Sequence, residues 1–191
     1  MLSPKEIEEI KKGVVKYQTI MSMYKRKNIS EDRDFQRLYN GFYRVRRSKV
    51  VWQPHYYKML EALKEHSSSF EDILKALQVK FKRLEASFAS KMYATRSPDY
   101  PIIDKWVLKY MHLSLPPANQ QNRLEKTVQV YSDLIASFKE LLRSNEGKKH
   151  IKLFDEIYPN SGITDTKKVD FILWQLGRRN ELFQRDPEAE I

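Results

Sequence analysis

A chain of 191 residues with 35 Lys and Arg against 25 Asp and Glu carries a formal charge of +10 and a pI near 9.6. It is long enough for one sizeable core and basic enough to expect a polyanionic partner, with nucleic acid foremost. No cysteine is present, which excludes disulfides, thiolate zinc sites, a cysteine nucleophile and an iron–sulfur cluster. His55, His66, His112 and His150 show no metal-ligand spacing, so neither a metal nor a cofactor is expected. Met1–Glu6 carries charge where a signal peptide needs an apolar run, and no stretch of about 18 apolar residues occurs. The expectation is a soluble, cytoplasmic monomer with no membrane contact.

Taken in chain order, the periodicity is helical almost throughout, and no run alternates as a strand would. Ser3, Pro4 and Glu6 predict a capped helix start, followed by Ile7, Ile10, Val14, Tyr17 and Met21 on one side and closed by Lys25–Lys27. A second helix is predicted from Ser30–Asp32 with Phe35, Leu38, Tyr39, Phe42 and Val45 inward, and a third after Gln53 and Pro54. Ser67–Ser69 predicts a turn and a cap for a helix from Phe70 to about Val79, with a further helix from about Arg83 to Arg96. Ser97-Pro98-Asp99-Tyr100-Pro101 breaks the chain before a helix from Ile102 to His112. Leu115-Pro116-Pro117 precedes a long helix from about Asn119 to Arg143, then one from about Lys148 to Tyr158. Thr164–Lys167 opens the last, and Arg185–Ile191 reads as a frayed tail.

The predicted fold is therefore all-α, a compact bundle of about eight or nine helices. It is read as a single domain over residues 1–191, with room for two lobes around one cleft, about 1–28 with 113–191 and about 29–112. GxGxxG, GxxxxGK[ST] and GxSxG are all missing, which argues against phosphate-loop hydrolysis and the usual serine nucleophile.

Asp104, in Pro101-Ile102-Ile103-Asp104-Lys105-Trp106-Val107, sets one carboxylate at the mouth of a helix in this basic chain. It reads in two ways, as an ordinary acidic residue facing the positive end of the macrodipole or as a carboxylate that does chemistry. The stretch Leu84–Val107, LEASFASKMYATRSPDYPIIDKWV, resembles the catalytic core of helix-hairpin-helix DNA glycosylases, in particular the 8-oxoguanine glycosylase-like branch. There a small-residue helix leads through a turn to a Val-Pro-Val-Asp-type segment; here Ala86, Ser87, Ala89, Ser90 and Ala94 precede Pro101–Asp104. The likeness covers roughly residues 70–112. It implies that Asp104 is the catalytic aspartate, that the partner is duplex DNA with a damaged or modified base, and that no cofactor is used. Oxidised guanine and glucosylated phage cytosine are the substrate classes it implies. Carboxylate chemistry suits such a reaction, because breaking the N-glycosidic bond builds positive charge on the sugar.

Two departures from that pattern stand out. Gln78–Arg83 lacks the family's glycine turn, so phosphate contact is expected from Lys80, Lys82 and Arg83. The family's lysine nucleophile falls at Glu85 by ungapped counting, and the nearest substitute is Lys91, thirteen residues before Asp104. A monofunctional, water-using enzyme is the expected form, with Lys91 either touching substrate or simply solvated. Further DNA contacts are expected from Asn40, Tyr43, Arg44, Arg46 and Arg47, although Tyr43 reads equally well as core beside a solvated helix end. Trp106, Trp174 and Tyr110 are candidates for a base pocket or for core, Asp165, Asp170 and Gln175 for polar pocket groups, and Lys148-Lys149-His150 for backbone contact or solubility. The rival function is a non-catalytic helical DNA- or RNA-binding protein in which Asp104 is only a cap.

Overall fold

In a computed structural model that describes residues 2–185, with side chains to residue 178, the described residues form nine α-helices and no strand. The frayed tail expected from Arg185 onward lies, past Arg185 itself, outside the described residues. The chain divides into two compact units, Met1–Arg96 and Ser97–Ile191. This boundary runs differently from the lobes suggested above, because α1 (Pro4–Arg26) packs on α2 (Arg33–Tyr43) and so belongs with the helices that follow it.

In the first unit, Ser3 accepts from the Glu6 amide while Glu6 reaches back to the Ser3 amide, so the predicted capping box starts α1. Its buried residues, Ile10, Val14, Tyr17, Ile20 and Tyr24, recur at three and four and form one stripe. α2 buries Phe35, Tyr39 and Tyr43, and α3 (Trp52–Ala62) buries Trp52, Tyr56, Tyr57 and Leu60. α3 begins before Pro54 rather than after it, because the first turn needs no amide donor from a proline. The core between them is aromatic: Tyr39, Tyr56 and Tyr57 are fully buried, with ring centroids 5.4–6.1 Å apart. Their hydroxyls are satisfied internally, Tyr39 to Tyr56 at 3.0 Å and Tyr57 donating to Asn40 Oδ1 at 2.6 Å. Burial pushes all three phenols well above their ordinary value. α4 (Phe70–Phe81), capped by Ser69 with Asp72 in reciprocal bonding, packs on α5 (Ala86–Arg96).

In the second unit, α6 (Lys105–Tyr110) and α8 (Asn145–Ile157) pack on α9 (Asp165–Arg185), and α7 (Arg123–Arg143) contacts both α8 and α9. Buried Tyr131, Leu134, Phe138, Phe154, Val169, Ile172 and Leu173 make its core. Three predicted starts shift. α8 begins at Asn145 because Ser144 caps it, and α7 at Arg123 after Asn122 in the left-handed region. α6 is six residues long, since buried Pro101, Ile102 and Ile103 are not helical and the extended Asp104 caps the helix.

Candidate functional site

Asp104 is the N-cap of α6: its backbone is extended (φ −128, ψ 149), its Oδ1 accepts from the Trp106 amide at 2.9 Å, and its carbonyl accepts from Leu108. Asp104 is half-buried, and its carboxylate is held by the Trp106 amide. After it, Trp106, Val107 and Leu108 are buried. Trp106 lies under α9 at Gly177, where a Cβ would fall 2.6 Å from the Trp106 Cβ, so only glycine permits the approach.

Ahead of Asp104, the irregular segment is tied down by side-chain hydroxyls that no reading of the sequence singled out for this purpose. Thr164 Oγ1 donates to the Pro98 carbonyl at 2.9 Å, Thr166 Oγ1 to Asp99 at 3.1 Å and Tyr131 Oη to Pro101 at 2.9 Å. Pro98 and Pro101 have no amide to join a ladder, and an unpaired buried carbonyl costs about 1–3 kcal/mol. The only trace of this in the sequence is a pair of proline breaks opposite a Thr-rich helix start.

The cationic residues expected to touch DNA gather in the first unit, Lys80 in the last turn of α4 and the others on two connections, α2 to α3 and α4 to α5. Buried Glu85 joins them, with Arg47 Nη2 at 2.9 Å from Oε1 and 3.0 Å from Oε2, and Arg83 Nε at 3.9 Å. Aromatic packing reinforces the junction: Trp52 stacks on Phe81 at 5.1 Å, and both Trp52 and the Arg47 guanidinium lie against Phe88. Arg44, Arg46, Lys49, Lys80, Lys82 and Arg83 are exposed around it, as are Val50, Val51 and Val79. Arg44 and Lys82 both end their helices with φ 54 in the left-handed region, so each takes the turn that favours glycine. The α4–α5 turn thus forms without a glycine, at a local cost.

Other predicted site residues are placed otherwise. Tyr43 is a core residue, its ring 4.6 Å from Tyr39 and 6 % exposed, and so offers no face for a base to stack on. Arg47 spends its guanidinium on Glu85, and its Nε is buried with no hydrogen-bond partner. Asn40 bonds Gln53 and Tyr57 within the unit. Lys91, on α5, donates to Ser87 Oγ at 2.9 Å and lies over the Phe88 ring. Trp106 is core, while Trp174 is half-buried with the Arg178 guanidinium over its ring at 5.3 Å. Asp170 is locked in a buried pair with Lys167, Gln175 is buried, and Asp165 sits in the first turn of α9 beside Lys168. Tyr110 donates to Glu146 at 2.6 Å and lies 3.4 Å from His150 Nε2. Burial lowers the His150 pKa, against the opposing pull of Glu146. Lys148 and Lys149 are exposed.

Compared with known proteins, the chain matches no family model, no curated protein and no solved structure. Among the described residues, no group of three or more His, Asp or Glu could hold a metal ion, and no helix is long and apolar enough to cross a membrane.

Proposed function

We propose that this chain is a DNA glycosylase in which Asp104 acts on the sugar of an extruded nucleotide, and that the exposed cations of the first unit bind DNA phosphates in their own right. The observation that carries the reading is the state of Asp104, a half-buried residue whose carboxylate is fixed through the Trp106 amide, on a segment whose preceding carbonyls are themselves held. A surface cap needs no such support. A carboxylate that must face a developing oxocarbenium ion gains from it, because preorganisation removes the cost of reorienting at the moment of reaction.

In this reading, DNA binding through Arg46, Lys49, Lys80, Lys82 and Arg83 contributes salt-dependent affinity without base identity. Extrusion of the nucleotide costs a few kcal/mol and favours an already weakened pair. Asp104 then stabilises positive charge on the sugar and orients or deprotonates the attacking water, leaving an abasic site. With Lys91 bonded to Ser87, strand cleavage through a Schiff base is not part of the scheme. Damaged bases and hypermodified phage bases, including glucosylated cytosine, are the substrates to try first.

The second reading is a non-catalytic nucleic-acid-binding protein. It is favoured by the internal engagement of Tyr43, Asn40 and Arg47, which leaves the exposed cations as a contact surface that reads no bases. Incubating the protein with DNAs that carry normal, oxidised, alkylated and glucosylated bases, followed by hot alkali, separates the two. Abasic sites that vanish with Asp104→Asn support the glycosylase. Salt-sensitive binding without cleavage on any of these DNAs leaves the binding protein.

A further inference from the structure

We infer that the hydroxyls of Tyr131, Thr164 and Thr166 are positioning groups for Asp104, a deepening that rests on the glycosylase reading above. All three bonds fall on residues Pro98, Asp99 and Pro101, within the six positions ahead of Asp104, and they come from partners 66, 67 and 30 residues away in sequence. The donors stand on two different elements. Tyr131 is on α7 and 2 % exposed; Thr164 and Thr166 open α9.

Each donor is itself constrained. Thr164 Oγ1 donates to Pro98 and accepts from the Lys167 amide at 3.3 Å, so the hydroxyl that starts α9 also holds the segment. Thr166 is buried, and its bond to Asp99 fixes the peptide between the two prolines. Beyond Asp104, Trp106 meets the same α9 at Gly177. The carboxylate is thereby bracketed, with α9 gripping the chain on both sides of it. Because all three carbonyls belong to the short segment that leads into Asp104, losing a hydroxyl frees a peptide plane there and lets the Asp104 backbone shift, whereas the helices that carry the donors keep their own bonds. Small displacements of a reacting group are costly even when the change is remote from the chemistry.

The test uses Tyr131→Phe and Thr166→Val, singly and together, with Thr166→Ser as the conservative control. Three quantities are read in the full chain: hydrogen exchange at the Trp106 amide, which reports the Asp104 cap without any substrate; the single-turnover rate of abasic-site formation; and the Kd for the same DNA. In the double variant we expect Trp106 exchange to quicken and the single-turnover rate to fall, each by about tenfold, with Kd within about twofold of the unmodified chain. Thr166→Ser should restore both. A folded variant with exchange and rate at the original values overturns the positioning role, and so does faster exchange with no change in rate. If the double variant does not fold, the single variants decide by the same criteria. An unmodified chain that forms no abasic site on any DNA, while exchange still quickens in the variants, overturns the glycosylase reading and leaves the hydroxyls as supports of the cap.

Discussion

The basic edge of the first unit and the Ser97–Asp104 segment of the second are both irregular backbone, yet they are held by opposite means. At the edge, one buried carboxylate and a set of stacked rings gather two loops from inside, and the cations Arg44, Arg46, Lys80 and Lys82 are left outside. In the segment, neutral hydroxyls hold the backbone carbonyls, Asp99 is exposed, and Asp104 is half-buried with its carboxylate on the Trp106 amide. The first arrangement suits a contact whose energy is the sum of many loose ion contacts, tolerant of small displacements. The second suits a single group whose position matters. Loops with exposed cations are assembled for charge, and loops with satisfied carbonyls are assembled for geometry.

The contrast is open to breaking, most sharply at Asp104. Asp104→Asn should lower abasic-site formation by about a thousandfold or more, as measured by alkali cleavage, while thermal melting stays close to the original, because Asn caps a helix as well as Asp. A folded variant that excises normally would return Asp104 to the role of a cap. Gly177→Ala should cost about 1–3 kcal/mol in urea unfolding, since its new methyl meets Trp106 at 2.6 Å. No change in the unfolding midpoint would mean that α9 yields and does not grip α6.

Breaking the internal counter-ion of the edge is the next largest effect. Glu85→Ala leaves Arg47 partly buried without its partner and should destabilise the fold by about 2 kcal/mol, less than a wholly buried pair because the Arg47 side chain is 29 % exposed. Lys82→Gly should do the reverse to stability. Relief of the left-handed backbone is worth about 1 kcal/mol. DNA binding should weaken with a salt slope reduced by about one. Equal affinity across salt would show that Lys82 touches no phosphate.

The smallest effect is electrostatic. Burial holds the His150 pKa below its ordinary 6.5, so as pH falls below that value the unfolded chain takes up the proton first and stability is lost until the folded-state pKa is passed. The unfolding free energy should therefore be lower at about pH 5 than at about pH 7, and His150→Gln should reduce that difference. A stability that rises on acidification would mean that Glu146, not burial, governs this histidine.

Much of the frame was legible in the residues. Ser3 with Glu6, Ser69 with Asp72 and Thr164 before α9 are local signals that need only three or four neighbours, and each starts its helix. Stripes such as Ile10, Val14, Tyr17 and Ile20 fold as written. The candidate site residues were harder to read. Tyr43 and Arg46 sit three apart in the same basic run, yet one is core and the other solvent-facing, because the end of α2 turns at Arg44. Trp106 carries no mark of burial except Gly177, seventy-one residues later.

By itself, then, the sequence determined an all-helical chain, the capped starts of α1, α2, α4 and α9, its excess of positive charge, and a carboxylate at the head of α6. These follow from periodicity, capping and composition, which act over a few residues or over none. Only the tertiary structure decided that Glu85 would join two basic loops and that Tyr131, Thr164 and Thr166 would hold the backbone ahead of Asp104. Such pairings join residues 30 to 67 positions apart, and a side-chain hydroxyl bears no signature of which distant carbonyl it will meet until the helices have packed.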